Sequence, residues 1–492
     1  MNVQFITLFL LLLSTNLFGQ TCSSMTIGNQ QQIDDFSINN PGCTEITGFL
    51  WIKESVPGTI SNLSGLSQLN SVGSLIISNN TDLVDLTGLD NLDSIHGIVN
   101  IFDNSGLEFL TGLNNVEYVN GGITLRNNTM LSSLSGFSGL KTSADELKLD
   151  NNPLVENLEG LDSLLYVGNL TIRNQPNITD FTFLSDTIDI DGITFGPNVG
   201  IASFVGLESI DSLPNGLRID GLSIQNFYGL ENLVSIPENF YLYQLLSING
   251  FQGLSRLKSI GNTFLAINTQ IQNFYGLDSL EHIGGHLHLS ANFGLDNFLY
   301  LDALKTIGGN LHVVYNNMLA NFEGLSNLTA INGFVNISFN DKLADLTGLD
   351  NVFASGLSDT LNGNHITVSS NALLSGCAID LLCDAINDPN LNLLIANNNT
   401  NCDSIPDVSE LCDINCLEIT NNTFTGDING LWHNPNNWSQ LEVPDRCTNV
   451  IIPNGQNVVV NNGFDAYCYT IDVMDGALFF VRPTGRLFVM SE

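Results

Sequence analysis

The sequence predicts an all-β protein: a parallel β-solenoid with disulfide-bonded caps, followed by a small β-rich module. Three observations lead to this prediction. A Gly-Leu step recurs every 23 or 24 residues, a short alternating apolar segment that ends in Asn lies between successive steps, and cysteines cluster on either side of the repeated region. A regular period of this length is the signature of a solenoid, in which each repeat contacts only its neighbours.

The Gly-Leu step belongs to a phrase that the chain repeats almost unchanged, as "LVDLTGLDN" at 83–91 and "LADLTGLDN" at 343–351. The step is degenerate at Phe183-Leu184 and Tyr300-Leu301. Its glycines otherwise keep the period throughout: Gly65, Gly88, Gly112, Gly136, Gly160, Gly206, Gly229, Gly253, Gly276, Gly324 and Gly348.

The segments between the steps predict one short strand per repeat. Examples are "ITLRNN" (123–128), "LKLDNN" (147–152), "LHLSAN" (287–292) and "VNISFN" (335–340), in which apolar residues alternate with others. Alternation over so few residues indicates a strand with one buried face. A period of 23 or 24 residues is too short for a strand and a long helix, so each turn is expected to add one parallel strand.

An asparagine in constant register follows most of these strands. A side-chain amide both donates and accepts hydrogen bonds, so it can satisfy backbone groups where each turn leaves the sheet. We expect this role for Asn80, Asn104, Asn128, Asn152, Asn198, Asn292, Asn316, Asn340 and Asn371, with Gln175 as one substitute.

Over residues 22–416, this pattern resembles the leucine-rich-repeat variant of receptor L domains, the ligand-binding lobes of the insulin and epidermal growth factor receptors. The resemblance implies a right-handed solenoid, in agreement with the usual handedness of parallel connections. The chain has more turns than one such lobe, so growth-factor binding is not carried over.

The sequence divides into five predicted segments: a signal peptide (1–20), an N-terminal cap (21–60), the repeat solenoid (61–371), a Cys-rich C-terminal cap (372–416) and a β-rich module (417–492), for which an incomplete module is one interpretation. The first segment is apolar from Phe5 to Leu13 except for Thr7, which favours a secretory leader over an uncleaved anchor because the run is too short to span a bilayer. A leader predicts a secreted or cell-surface protein, associated with the outer membrane and not membrane-spanning once the leader is removed.

Nine cysteines in a chain with a leader predict disulfides formed in an oxidising compartment. Cys22 with Cys43 would close the front cap. Four cysteines of the rear cap allow three pairings, and we favour Cys377 with Cys402 and Cys383 with Cys412. Loops of these sizes would each contribute about 3 kcal/mol in the chain-entropy model.

The charge excludes one class of partner. Lys and Arg total 13 against 50 Asp and Glu, a net charge of −37, so a phosphate backbone would be repelled and no nucleic-acid partner is expected. Weak calcium binding is compatible with so many carboxylates, although "DIDG" (189–192) and "DING" (427–430) match only a corner of a calcium loop.

Stacked turns bring residues 23 or 24 apart in sequence to about 4.8 Å, which predicts columns of outward side chains. One column holds Arg126, Asp150 and Arg173. Two basic groups that flank one carboxylate would receive an anionic sugar or an acidic peptide. The alternative is that the charged side chains of this column pair with one another on the sheet surface.

Two further columns predict an exposed aromatic and apolar patch, the kind of surface that marks an interaction site. The alternative is a register slip near residues 240–267, which would place Tyr241 and Ile267 in the core. The columns are Tyr241, Leu265, His288 and His312, and beside them Tyr243, Ile267, Ser290 and Val314.

Motifs for catalysis and cofactors are not evident. No GxSxG, phosphate-binding Gly loop or HExxH occurs, and no cofactor or metal site is predicted. His286, His288 and His312 are close in register, but no fourth metal ligand is evident. Trp432 and Trp438 of the C-terminal module are expected in its core rather than in a carbohydrate-binding site.

These observations favour a non-catalytic recognition or adhesion protein that binds a protein or glycan through the sheet face of the solenoid. One alternative is a polysaccharide-active β-helix enzyme, which needs convergent carboxylates. Asp150 and Asp220 share a column but lie three turns apart. The other alternative is a structural spacer in a surface layer, which predicts no ligand.

Overall fold

The computed structural model describes residues 20–221, 224–412, 420–426, 430–444, 448–461, 465–468, 470–482 and 486–489. The predicted leader lies outside the described residues except for Gln20. The chain divides into two compact units, which we call the first unit (residues 1–295) and the second unit (residues 296–492).

The first unit is a stack of short parallel strands, as the sequence predicts. Each strand pairs with the strand of the following turn, for example Tyr241 with Leu265. Its described strands are β1 (Gln20–Cys22), β2 (Met25–Ile27), β3 (Cys43–Ile52), β4 (Ser71–Ser78), β5 (Ser94–Ile95), β6 (Val99–Phe102), β7 (Tyr118–Val119), β8 (Ile123–Arg126), β9 (Thr142–Asp150), β10 (Tyr166–Arg173), β11 (Asp189–Phe195), β12 (Gly216–Asp220), β13 (Ser235–Ile236), β14 (Phe240–Tyr243), β15 (Ser259–Ile260), β16 (Phe264–Ile267), β17 (His282–Ile283) and β18 (Leu287–Ser290).

Alternate residues of each strand point into the core, which confirms the predicted period of two. In β8, Ile123 and Leu125 are fully buried, whereas Thr124 and Arg126 lie on the outward face. The leucines around each Gly-Leu step complete the core of the turn, and Leu230 and Leu233 are both fully buried. Burial of such side chains contributes about 1.5–3 kcal/mol each.

The glycine of the Gly-Leu step is required by its backbone and by its neighbours. Gly229 has φ +102°, and a Cβ atom there would lie 2.0 Å from the carbonyl oxygen of Phe204 in the preceding turn. Adjacent turns therefore approach too closely at this corner for any side chain. The same geometry recurs at Gly88, where a Cβ would lie 2.1 Å from the Leu63 carbonyl oxygen.

Buried asparagines form a ladder along the strand ends, as the sequence predicts. Asn128 donates to the Ile101 carbonyl oxygen at 2.9 Å and accepts from the Asn104 backbone N–H at 3.2 Å. Asn152 in turn accepts from the Asn128 backbone N–H at 3.0 Å. Each amide therefore satisfies backbone groups of neighbouring turns that the sheet leaves without partners.

The predicted position of Asn198 in this ladder is wrong. Asn198 is exposed with φ +56°, and Val199 occupies the buried position instead. The shift follows from one additional residue after β11. The Asn174 N–H bonds to the Pro197 carbonyl oxygen, where the preceding turns use the last residue of the strand.

The front of the first unit is closed by a cap of two short helices, α1 (Gln30–Asp34) and α2 (Phe36–Asn39). Ile33 and Phe36 are buried against the first turn. A disulfide joins Cys22 to Cys43, the expected pair. The helices cover the apolar end that an open solenoid would expose to water.

The second unit repeats the same strand and ladder geometry. Asn340 donates to the Val313 carbonyl oxygen at 3.0 Å and accepts from the Asn316 backbone N–H at 2.9 Å. Its strands within the described residues are β19 (Thr306–Ile307), β20 (Leu311–Val314), β21 (Ala330–Ile331), β22 (Val335–Ser338), β23 (Ile366–Ser369), β24 (Leu393–Ala396), β25 (Thr420–Thr423), β26 (Thr448–Ile452), β27 (Asn457–Val460), β28 (Asp465–Cys468), β29 (Thr470–Val473), β30 (Leu478–Val481) and β31 (Arg486–Val489).

Two helices and two disulfides close the repeats of the second unit. The predicted helix in "AIDLLCDAI" is present as α3 (Asp380–Asn387), and a further helix, α4 (Ile405–Cys412), follows it. The disulfides join Cys377 to Cys402 and Cys383 to Cys412, the pairing that the sequence favours. Among the described residues, no helix is long and apolar enough to cross a membrane.

The C-terminal module is β-rich, and its described strand pairs are parallel: β25 with β26, β26 with β29, β27 with β30, and β28 with β31. Trp432 and Trp438 are 0% and 1% exposed and form its core with Phe424. The Trp438 indole N–H donates to the Trp432 carbonyl oxygen at 2.7 Å. These tryptophans therefore stabilise the module and present no surface to a carbohydrate.

Candidate recognition face

The predicted aromatic columns lie on the outward face of the sheet in the first unit. Tyr241 is opposite Leu265, and Leu265 is opposite His288. Beside them, Tyr243 is opposite Ile267. All five side chains are partly exposed, whereas the alternate residues of the same strands are buried. The alternative, a register slip near residues 240–267, does not occur. We call these five residues the aromatic strip.

An ion pair borders the aromatic strip on the preceding strand. The Arg218 guanidinium lies 4.5 Å from the centroid of the Tyr243 ring and 3.4 Å from the Asp220 carboxylate. The Tyr241 and Tyr243 rings meet edge to face at 6.1 Å. The arginine is therefore held over an aromatic face, a geometry that favours a cation by about 0.5–1 kcal/mol at exposed sites.

Partial burial disfavours the charged forms of Tyr241 and His288 in the aromatic strip. Burial raises the pKa of the Tyr241 phenol, and the neighbouring Tyr243 adds to that effect. Burial also lowers the pKa of His288, with a further contribution from the charge of His286. The aromatic strip is therefore an amphipathic surface, without Asp, Glu, Lys or Arg among its five residues, on a strongly acidic protein.

The predicted charge column is present in register, with Arg126 opposite Asp150 and Asp150 opposite Arg173. In the part of the chain that the structure describes, neither arginine forms a salt bridge with Asp150. Asp150 instead accepts a hydrogen bond from Asn174 at 3.0 Å, and Arg126 lies 5.3 Å from the Phe102 ring centroid. The alternative, in which the charges of this column pair with one another, is therefore not formed in this structure.

The two predicted positions in the second unit differ from each other. His312 lies on the outward face of β20, with its Nδ1 3.3 Å from the Asn336 amide nitrogen. Val314 also points outward in register with Ser338, but only 6% of it is exposed. The prediction that Val314 belongs to an exposed surface is wrong, because Val314 lies in a groove that residues 361, 362 and 364 also line.

No group of three His, Cys, Asp or Glu side chains that could hold a metal ion occurs within the described ranges. The "DIDG" segment lies in β11, where Asp191 accepts a hydrogen bond from the Tyr166 hydroxyl at 2.6 Å. The first three residues of "DING" lie outside the described residues.

Sequence reasoning missed two exposed aromatic residues, Tyr315 and Phe339, which directly follow β20 and β22. Their backbones are left-handed, with φ +58° and +59°. The sequence signal that could have revealed them is their position relative to the strands. The equivalent positions after β4 and β8 hold Asn79 and Asn127, so an aromatic residue there departs from the pattern.

The fold and its outward face define a leucine-rich-repeat-like parallel β-solenoid with turns of about 24 residues. Residues 423–492 match the model of a family described as a domain of unknown function (DUF8693). This match covers the C-terminal module and not the repeats.

A chain from the crystal structure of a TLR13–ssRNA13 complex aligns with 76% of this chain at 16% identity, with a TM-score of 0.33. The alignment spans 61% of that chain. A search of curated proteins found no match.

Proposed function

We propose that this chain is a non-catalytic recognition protein of the cell exterior, which binds a protein or glycan through the outward face of its stacked strands. The aromatic strip of the first unit carries the proposal. Tyr241, Tyr243, Leu265, Ile267 and His288 form one surface over three consecutive strands. Exposed aromatic and apolar groups on a rigid support are typical of binding hot spots.

The architecture supports recognition through an extended, rigid surface. Every turn is tied to its neighbours by parallel pairing and by the asparagine ladder, so the outward side chains are held in fixed register. A preorganised surface loses little conformational entropy on binding. The resemblance to receptor L domains supports the same role, and adhesion at the cell surface is a function that such a platform serves.

The disulfides support an extracellular location, since such bonds persist in oxidising compartments. We place the protein at the cell surface, associated with the outer membrane. We propose no nucleic-acid ligand, because a net charge of −37 opposes a phosphate backbone. We also propose no catalytic activity and no requirement for calcium.

A binding screen tests the function. The purified chain is applied to arrays of cell-surface protein ectodomains and of glycans, beside a variant with Tyr241→Asp and His288→Asp. The matched control carries Tyr275→Asp and His282→Asp, which make the same changes at exposed positions outside the aromatic strip. We expect the strip variant to lose more than about tenfold in affinity and the control to keep it.

Melting curves of all three proteins separate lost binding from lost folding. If a bound ligand is retained equally by the wild type and by a folded strip variant, the aromatic strip is not the binding surface. If the wild type binds nothing on either array, the recognition function itself is contradicted.

A further inference from the structure

The second unit contains a groove of about 290 Å³ on the outward face of β20, β22, β23 and β24. The floor is polar and closely covered: Asn336, Ser338 and Thr367 point outward, yet each is at most 9% exposed. Aromatic side chains and a short hairpin form the sides. The full lining is His312, Val314, Tyr315, Asn336, Ser338, Phe339, Leu361, Asn362, Asn364, Thr367, Ser369 and Leu394.

An insertion in one turn of the solenoid forms the hairpin side. Ladder asparagines Asn316 and Asn340 are 24 residues apart, whereas Asn340 and Asn371 are 31 apart. Within the additional residues, Leu361 and Asn364 exchange two backbone hydrogen bonds of 2.8 and 3.0 Å. Between them, Asn362 and Gly363 have φ +54° and +85°, the conformation of a tight Asn-Gly hairpin turn.

The next turn of the solenoid fixes the hairpin in place. Asn392 donates from its side-chain amide to the Gly363 carbonyl oxygen at 3.1 Å. The Asn392 backbone N–H also donates to His365 Nδ1 at 3.0 Å. With anchors on both sides of the turn, the hairpin is a preformed wall of the groove.

The opposite side of the groove is an aromatic pair, Tyr315 and Phe339. Their ring centroids are 4.7 Å apart with an interplanar angle of 10°, and the residues are 51% and 43% exposed. Both backbones are left-handed, a region that bulky side chains rarely adopt. Strain of this kind at two rings that remain about half exposed points to a function for them.

In the first unit, most turns have asparagine at this backbone position, and the others described include Asp103, Gln244 and Ala291. Asn127 and Asn151 are left-handed at the equivalent places, and the Asn151 amide donates to the Asn127 oxygen at 2.9 Å. Asparagine tolerates the left-handed region and links adjacent turns. Two consecutive turns of the second unit have aromatic rings in place of such a link.

Polar groups lie on the floor of the groove, although most of its exposed lining is apolar. Its lining includes no Asp, Glu, Lys or Arg, although the chain has 50 acidic residues. Hydroxyl and amide groups cross the floor: Ser338 Oγ donates to Asn336 Oδ1 at 2.6 Å and lies 3.1 Å from Ser369 Oγ. These groups can both donate and accept hydrogen bonds.

We propose that this groove is a binding site for a neutral carbohydrate. A sugar ring has one apolar C–H face and a rim of hydroxyl groups. The C–H face packs on the Tyr315–Phe339 pair, and the hydroxyl rim exchanges hydrogen bonds with Asn336, Ser369 and the hairpin. A lining without Lys or Arg favours a neutral sugar over an acidic one, since a bound carboxylate or sulfate would find no lysine or arginine in the groove.

The test uses the full chain on an array of neutral oligosaccharides, with carboxylated and sulfated oligosaccharides and peptides as comparisons. The groove variant carries Tyr315→Asn and Phe339→Asn. The matched control carries Tyr228→Asn and Tyr275→Asn, which replace two exposed tyrosines outside the strands. We expect neutral oligosaccharides to bind the wild type and the control, and the groove variant to lose more than about tenfold in affinity with little change in melting temperature.

The strip variant, Tyr241→Asp with His288→Asp, distinguishes this proposal from the proposed function. It should retain binding of the neutral oligosaccharide, because the groove contains neither residue. Equal affinity in the wild type and groove variant overturns the groove proposal, as does binding of charged oligosaccharides or peptides alone, or of no oligosaccharide. If the strip variant loses the neutral oligosaccharide and the groove variant keeps it, the recognition function stands and the groove proposal fails.

Discussion

The rings of Tyr315 and Phe339 stack 4.7 Å apart on two backbone positions whose φ angles are +58° and +59°. A left-handed backbone costs a residue other than glycine or asparagine about 1–2 kcal/mol. Stacking of the two rings contributes about 0.5–1.5 kcal/mol of favourable free energy in total. The strain at two residues exceeds the gain from stacking, but burial of about half of each side chain contributes a comparable free energy, so the pair adds little net stability to the fold.

Replacement of both rings by asparagine should thus cost the protein little stability. We expect the unfolding free energy of the Tyr315→Asn, Phe339→Asn variant to lie within about 1 kcal/mol of the wild type, measured by denaturant titration. The matched variant with Tyr315→Ala and Phe339→Ala should be less stable than the asparagine variant, because alanine lacks the amide. An asparagine variant destabilised by more than about 2 kcal/mol would show that the rings serve the fold.

Loss of one ladder amide should be costly. Asn128→Ala removes the donor to the Ile101 carbonyl oxygen and the acceptor of the Asn104 N–H, and leaves both buried groups without those partners. We expect a loss of roughly 2–4 kcal/mol in unfolding free energy. Asn100→Ala, the same change on the outward face of the adjacent strand, should cost less than about 0.5 kcal/mol. Similar losses in the two variants would contradict a structural ladder.

The disulfide between Cys383 and Cys412 should stabilise the rear cap. It closes a loop with a sequence separation of 29 residues, for which the chain-entropy model gives about 3–4 kcal/mol. We expect the Cys383→Ala, Cys412→Ala variant to melt at a lower temperature and to expose α3 to proteolysis before the strands. Unchanged melting and proteolysis would show that packing alone holds the cap.

The Tyr166 hydroxyl should make stability depend on alkaline pH. Its hydrogen bond to Asp191 is the main cause that raises the pKa of Tyr166 to about 12 from 10.0. Because the folded pKa is above the unfolded one, this stability is present below pH 10 and is lost as the pH rises through 12. The shift corresponds to about 2.7 kcal/mol before solvent screening, which reduces it to about 1 kcal/mol.

The comparison with Tyr166→Phe isolates this contribution. The variant should be less stable than the wild type at pH 8, and the difference should shrink between pH 10 and 12. Melting temperatures at a series of pH values provide the measurement. A difference that stays constant with pH would mean that the hydroxyl contributes packing and not a titrating hydrogen bond.

The repeat period and the alternation of apolar residues were sufficient to predict the strands, their parallel pairing and the outward column of Tyr241, Leu265 and His288. That column follows from core alternation, which is a local property of each turn. Asn198 was misplaced because one additional residue after β11 breaks the register. The front helices were not predicted, since five and four residues are too few to show a helical period.

The candidate sites depended more on contacts between distant residues. Val314 is buried in a groove that is also lined by the hairpin at residues 361–364, nearly fifty positions later in the chain. The Asn-Gly pair at 362 and 363 was a readable hairpin signal. The left-handed backbone of Tyr315 and Phe339 could be inferred only from the asparagines that hold the same register elsewhere.

Hydroxyl-radical footprinting with and without the best ligand from the binding screens tests the central claim most directly, because it reports the solvent exposure of individual side chains. If the outward face is the recognition surface, the ligand should reduce oxidation at Tyr241, Tyr243 and His288, or at Tyr315 and Phe339. Oxidation of Tyr228 and Tyr275, which are 49% exposed outside the strands, should not change. Protection confined to Tyr228 and Tyr275, with unchanged oxidation on the outward face, would contradict the account.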